Sequence, residues 1–388
     1  MPPRILTLAV LFLSPLAASQ VLQPGSPDAV GMSRARLDHT IGLIETEVRE
    51  GRVQSAAILV ARRGTIVLHR GFGRLSAEPD APAVQPDSIF QVASITKPVT
   101  AIALMQLVER GRLALTDPVV LHLPEFTGGE RAKARVIDLL AHTSGLPDML
   151  PENTELRRGN APLKEFVRRS LQTPLLFTPG TAFEYQSMGI LLAAEIVERL
   201  AGMPLPELEE KEIFGPLGMK NSVLGLGRLK VRDTVQMQVS PGADPREQAL
   251  YGGNSDYWRR MGHPWGGMHT TTTDLGILLE TFLNGGTYGQ ARIVSPATAR
   301  AMITNQNEHL KNPWGIGWGF ARSTAWSRFG DLVSARTFGH SGASGTVAWA
   351  DPETGLLCVF LSGRPAGWDD GRLLRRISNS VAAAVEKP

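Results

Sequence analysis

The segment Gln91–Gly111, "QVASITKPVTAIALMQLVERG", sets a serine three residues ahead of a lysine where a helical pattern begins. From Thr100 to Arg110 apolar residues recur at helical spacing, and Gly111 follows, whose missing side chain suits a helix C-terminus. Three apart on a helix, Ser94 and Lys97 share a face. Pro98 lacks the amide proton that would bond the Ser94 carbonyl, so Ser94 belongs in the first turn or just before it, where the helix dipole favours developing negative charge. A serine hydroxyl is a poor nucleophile at neutral pH, and a lysine activates it only if burial or a nearby cation lowers the amine's pKa. A chain of this length holds on the order of one Ser-x-x-Lys by chance, so the pair alone reads first as a capping serine beside a solvated lysine.

Upstream, "SAAILVARRGTIVLHRGFG" at Ser55 to Gly73 reads as a hairpin turning at Arg63-Gly64 and buried in a sheet. Between Leu115 and Asn221, "RVIDLLAHTSGLP", "PLKEFVRRSLQTPL" and "GILLAAEIVERLAG" each carry an apolar face and a Gly or Pro stop, the marks of an all-helical insertion. The stretch Ser240 to Arg260 has no clean period and reads as a long loop bordering a site. Its Tyr251, Tyr257 and Trp258 form either an aromatic wall for an acyl group or ordinary loop packing. "TTTTDLGILLETFLNGG" predicts a capped helix with a Gly-Gly exit, "TVAWADPETGLLCVFLSG" two strands around a turn at Asp351 to Gly355, and "GRLLRRISNSVAAAVEKP" an amphipathic helix. The expected fold class is therefore α/β (α+β): an antiparallel sheet built from both termini, about residues 20–114 and 266–388, flanked by helices and interrupted by a helical insert at about 115–265.

With 388 residues, 43% hydrophobic and 20% charged, the chain can bury a substantial core. The formal charge of +3, from 40 basic and 37 acidic residues without long like-charged blocks, gives no support to nucleic-acid binding. "MPPRILTLAVLFLSPLAASQ" places Arg4 before a short apolar run and then small residues, the order of a cleavable signal peptide over residues 1–19. The run is too short to span a bilayer, so the mature protein is expected to be exported, periplasmic or secreted, without a stable membrane anchor. Cys358 is the only cysteine and has no intramolecular partner. The eight histidines are scattered with no His-x-x-x-His, so no metal and no cofactor is expected.

Two further motifs accompany the serine and lysine. Tyr185, in "FTPGTAFEYQSMGILLAAEI", sits in a Pro-Gly-led loop ahead of a helix, where a phenol can face a cleft or simply half-bury in a core. "FGHSGASGTVAWA" puts His340, Ser341 and Gly342 at the start of a strand, where glycine lets a ligand lie against the backbone. "SITK", "YQS" and "HSG", in that order, resemble the three-motif signature of penicillin-recognising serine enzymes: class C β-lactamases, D-alanyl-D-alanine carboxypeptidases and family VIII esterases. The flanking phrases "LLAHTSGLPD" from Leu139, "GGMHTTTTDLGILLETFLNGG" from Gly266 and "WGIGWGF" from Trp314 extend the similarity over nearly the whole mature chain. The resemblance implies that Ser94 is acylated, that Lys97 helps remove its proton, and that Tyr185 is the partner base and then the acid for the leaving group. It also implies an oxyanion hole from the Ser94 and Ala343 amides, with His340 and Ser341 on the opposite wall able to bond the substrate or Tyr185.

Two positions depart from that pattern. Ser187 stands where lactamases and carboxypeptidases usually carry Asn, offering a hydroxyl that can reach Lys97 but no amide for a substrate carbonyl. His340 replaces the lysine typical of lactamases, which weakens capture of a carboxylate unless the imidazole is protonated. The reading that follows is a serine hydrolase acting on small esters or D-amino-acid peptides, with β-lactam hydrolysis second and a non-catalytic peptide-binding relative third. A lipase-type nucleophile elbow is disfavoured, because "GHSGA" lacks the Gly-x-Ser-x-Gly spacing.

Overall fold

The computed structural model describes residues 20–387; the signal-peptide reading of residues 1–19 lies outside them. The chain opens with strand β1 (Gln23–Pro24) and helix α1 (Arg34–Arg49), then enters the hairpin β2 (Ser55–Arg62) and β3 (Thr65–Gly73). Arg63 and Gly64 both take positive φ at its turn, the conformation that matches the twist of two-residue hairpins. After β4 (Phe90–Gln91) a 3-10 turn, Ala93–Ile95, leads into α2 (Thr96–Glu109).

The helical stretch follows: α3 (Val119–His122), α4 (Val136–Leu140), α5 (Asn153–Arg158), α6 (Leu163–Ser170), α7 (Met188–Ala201), α8 (Leu205–Glu209) and α9 (Gly215–Leu217). It is not wholly helical, because β5 (Val223–Leu224) pairs with β6 (Met268–Thr270), which also pairs with β4. Between these strands lie α10 (Pro245–Tyr251) and α11 (Asp256–Arg260), where the sequence reads as a loop. Helices of seven and five residues are too short to display a 3.6-residue period. Their legible signals are the caps: Asp244 accepts from the Arg246 and Glu247 amides, and Ser255 from that of Trp258.

Helix α12 (Thr272–Leu283), the pair β7 (Thr287–Tyr288) and β8 (Ala291–Arg292), and α13 (Pro296–Met302) return the chain to the sheet. β9 (Gly319–Phe320), β10 (Phe338–Gly342), β11 (Thr346–Asp351), β12 (Leu356–Ser362) and α14 (Arg372–Ala382) complete it. The main sheet runs β1-β3-β2-β12-β11-β10-β9, antiparallel throughout except for the β1–β3 pair, and so joins strands from both ends of the chain.

Side chains alternate across this sheet into two cores. Ala57, Leu59 and Ala61 of β2, with Leu357, Val359 and Leu361 of β12, face the core shared with α2, α7 and α12. Ala56, Ile58 and Val60, with Leu356, Cys358 and Phe360, face the core shared with α1 and α14. Both faces are covered, which is why these strands read as unbroken apolar runs. The α2 helix is buried from Thr96 through Leu107 on every side, and that placement carries Lys97 into the interior.

Candidate active site

Ser94 lies in the 3-10 turn just ahead of α2, and the preceding residue, Ala93, holds φ at +47°, a strained value for a residue with a side chain. One turn on, Lys97 is fully buried, and its Nζ donates to Ser94 Oγ and to the Trp265 carbonyl, each at 3.0 Å. Burial drives the Lys97 pKa down to about 7, against an opposing pull from the negative charge of Asp148. Near neutral pH a large share of this amine is therefore unprotonated and able to accept the Ser94 proton, which a solvated lysine would not be.

Tyr185 is only 7% exposed, beside a Ser94 that is 8% exposed. The Lys97 Nζ sits 4.7 Å from the centre of the Tyr185 ring. The phenol oxygen makes no well-formed hydrogen bond among the described residues. Its pKa stands well above the usual value through burial and the Asp148 charge, with smaller opposing contributions from the nearby Ser94 hydroxyl and from Arg328. A neutral phenol of this kind is suited to donating a proton at neutral pH.

His-Ser-Gly closes β10 instead of opening the next strand, which begins only at Thr346 after the turn at Ala343–Gly345. That turn sets the Ala343 amide beside the segment that carries Ser94. A methyl group at Gly342 would lie 2.2 Å from the Val92 carbonyl and 3.2 Å from the Ala93 Cβ, so the backbones meet where only glycine fits. Thr346 Oγ1 ties the two segments by donating to the same Val92 carbonyl at 3.0 Å. The Ser94 amide precedes the first bond of its turn and the Ala343 amide follows the last pairing of β10; neither has an acceptor among the described residues. Two unpaired N–H groups on adjoining segments are chemically able to bond a negative oxygen.

The remaining candidates are engaged differently from the sequence expectation. Ser187 Oγ donates to Asp148 Oδ1 at 2.6 Å, and its amide to the Asp148 carbonyl at 3.3 Å, so its hydroxyl is held by Asp148 and not by Lys97. Ser341 Oγ donates to the Trp326 carbonyl at 2.7 Å instead of facing Tyr185. His340 is buried with its Nδ1 at 2.7 Å from the Ser341 carbonyl, and burial plus the Lys97 charge lower its pKa to about 3. Tyr257 donates to the Ala161 carbonyl, while Arg157 lies 3.8 Å over the Trp258 ring and 5.9 Å from that of Tyr251. These three aromatics are thus occupied in loop packing. The rings gathered around Tyr185 are those of His142, Trp314, Trp326 and His340.

Asp148, His142, Trp265, Trp314 and Trp326 are the residues that motif reasoning left without a role. Asp148 and His142 lie inside "LLAHTSGLPD" and Trp314 opens "WGIGWGF", phrases that the sequence reading noted only as flanks.

The motifs, their order and this geometry agree with one family. A family model for Beta-lactamase matches residues 41–382. The chain belongs to the Beta-lactamase family. It is a serine hydrolase family that includes esterases, carboxypeptidases and lactamases. Among curated proteins, the chain is 28% identical to a protein of Salmonella agona named for D-alanyl-D-alanine carboxypeptidase, with 89% of this chain and 86% of that one aligned. Among solved structures it is similar to EstCE1, described as a hydrolase with promiscuous acyltransferase activity, at TM-score 0.73 and 23% identity over 90% of this chain and 99% of that one. A penicillin-binding protein homologue from Caulobacter crescentus is similar at TM-score 0.73 and 23% identity, covering 92% and 99% of the two chains. Both structures share the fold of a mostly antiparallel sheet flanked by helices.

Proposed function

We propose that this family member is an exported serine hydrolase that forms an acyl-enzyme on Ser94, with small esters or D-amino-acid peptides preferred over β-lactams. The observation that carries the reading is the fully buried Lys97 amine 3.0 Å from Ser94 Oγ. In the acylation step Ser94 Oγ attacks the substrate carbonyl and its proton passes to the neutral Lys97 amine. The carbonyl oxygen, now negative, takes the Ser94 and Ala343 amide protons. Collapse of this intermediate expels the leaving group, which receives the Tyr185 proton, and the tyrosinate so formed is reprotonated by the proton that Lys97 took from Ser94. A water then attacks the acyl ester under the same base and oxyanion site, releasing the acid and free Ser94.

The preference against lactams rests on the same wall. His340, with Nδ1 committed to the Ser341 carbonyl and the ring kept neutral by burial, supplies no positive charge for a substrate carboxylate. Ser187, locked on Asp148, supplies no amide for a substrate carbonyl. The test is intact-mass spectrometry of the mature protein after exposure to a fluorophosphonate, a short-chain nitrophenyl ester and a penicillin, with Ser94→Ala alongside. Adducts on the wild type alone, ester turnover and a persistent penicillin adduct are expected. Rapid penicillin release would favour a lactamase, and the lack of any adduct a binding protein.

A further inference from the structure

The phenol of Tyr185 and three neighbouring rings each carry a buried polar atom with no well-formed hydrogen bond among the described residues. The rings of His142, Tyr185, Trp314 and His340 form a closed set, with centroids 4.6 Å apart for His142–Tyr185 and 4.7 Å for His142–Trp314. The set closes through Trp314–His340 at 5.6 Å, Tyr185–Trp314 at 5.8 Å and Tyr185–His340 at 6.0 Å. His142 Nε2, Tyr185 Oη, Trp314 Nε1 and His340 Nε2 are each buried and without a hydrogen-bond partner among the described residues. Unsatisfied buried polar atoms are rare in folded proteins, and several in one place mark the seat of an ordered water or a ligand.

The bonds on the far side of each imidazole fix which atoms donate. His340 Nδ1 lies 2.7 Å from the Ser341 carbonyl, so the proton sits there and Nε2 is a bare acceptor. His142 Nδ1 accepts from the Gln186 amide at 3.3 Å, so on a neutral ring the proton sits on Nε2, a donor. Burial holds both rings neutral, lowering the pKa of His340 to about 3 and that of His142 well below its usual value. Trp314 Nε1 only donates. The set is thus two donors, one acceptor and one phenol. That count matches the hydrogen-bonding capacity of one water, whose two lone pairs answer the His142 and Trp314 donors and whose two protons answer His340 Nε2 and Tyr185 Oη.

His142 is also the member whose backbone is forced. It holds φ at +63° without being glycine, a strained position of the kind that persists only where the surroundings over-determine it. Its carbonyl accepts the Glu184 amide at 3.0 Å while its ring accepts that of Gln186, so it grips the Tyr185 segment on both sides.

We propose that His142 and Trp314 are positioning residues that bind one buried water against Tyr185 Oη, so that the phenol's own proton is turned toward the leaving group. The role of Tyr185 as acid rests on the hydrolase reading above; the water site itself does not. The water's hydrogen bond to the phenol oxygen also stabilises the tyrosinate formed when the proton leaves.

Two variants test it. His142→Asn keeps a residue that tolerates left-handed φ and an oxygen to accept the Gln186 amide, but removes the Nε2 proton; Trp314→Phe removes the indole N–H. Each is assayed on a nitrophenyl ester, whose leaving group departs without protonation, and on an ethyl ester of the same acid, whose leaving group needs it. The expected result is an ethyl-ester kcat reduced on the order of 10²-fold with KM unchanged, against a change of less than about 3-fold for the nitrophenyl ester. A structural defect would lower both together, and equal losses, or none, would overturn the proposal. A high-resolution crystal structure gives an independent reading: a water within hydrogen-bond distance of all four atoms is expected, and a dry cluster refutes the site. Fluorophosphonate labelling of wild-type Ser94 separates the two levels. Labelling with no leaving-group dependence sinks only this inference, whereas no labelling sinks the hydrolase reading while the crystal structure still judges the water site.

Discussion

Replacing Lys97 by methionine should make the folded protein more stable at pH 7 and less stable at pH 10, while abolishing acylation. Lys97 titrates at about 7 in the folded chain and near its ordinary 10.5 when unfolded. Between those values the unfolded state holds a proton that the native state has released, so native stability rises with pH across that window. At about 1.4 kcal/mol per unit, the native state carries a penalty of roughly 4 kcal/mol at pH 7 and less than about 1 kcal/mol at pH 10. Methionine, similar in length and uncharged, removes that penalty and also removes the Nζ bonds to Ser94 Oγ and the Trp265 carbonyl. Those two bonds are worth about 1 kcal/mol each, so Lys97→Met should be about 2 kcal/mol more stable than wild type at pH 7. At pH 10 the sign reverses and the variant should be about 1 kcal/mol less stable, a swing of about 3 kcal/mol that does not depend on the hydrogen-bond figure. Urea denaturation of both proteins at the two pH values measures it. A stability gap that is the same at pH 7 and pH 10 would refute the argument, because it would mean that Lys97 keeps its proton on folding.

Three further outcomes follow from the same geometry. Asp148→Asn removes the negative charge that holds the Lys97 pKa up, so the acid limb of the kcat/KM profile should move to lower pH; an unchanged or raised limb contradicts this. Gly342→Ala puts a methyl group 2.2 Å from the Val92 carbonyl and 2.3 Å from Thr346 Oγ1, which must part the two amide-bearing segments. Ester kcat should fall about 10²-fold, and fluorophosphonate labelling at the wild-type rate would show that the oxyanion site is elsewhere. Glu280, on α12, has its pKa raised to about 7 by burial, so the native carboxyl keeps a proton that the unfolded chain loses above 4.5. Its contribution to stability is full below 4.5 and lost as pH rises through 7, so thermal denaturation should find Glu280→Gln stabilising at pH 8 and nearly neutral at pH 4.

The hairpin at Arg63-Gly64, the capped α12 and the two-strand pattern around Asp351 to Gly355 were legible because each is written in contiguous residues: turn chemistry, a cap, a run of apolar side chains. The pair Ser94 and Lys97 was legible for the same reason, since two residues three apart across a helix start are local geometry. The short helices α10 and α11 were missed because neither is long enough to show a period.

What the local pattern does not contain is who lies across the fold from whom. Whether Lys97 is solvated or neutral depends on burial of α2 on every side and on a carbonyl contributed by Trp265, 168 residues away. The partner of Ser187 is Asp148, 39 residues back, and the tautomers of His142 and His340 are set by the Gln186 amide and the Ser341 carbonyl. The longer strands and helices and the placing of Ser94 one turn ahead of Lys97 are written in the chain itself, because short-range sterics and side-chain chemistry are properties of neighbours. The proton affinities of these groups, the approach of the Ser94 and Ala343 segments and the polar ring cluster around Tyr185 arise only across the fold. Desolvation and hydrogen bonding are sums over groups that meet in space, and no spacing along the chain encodes them.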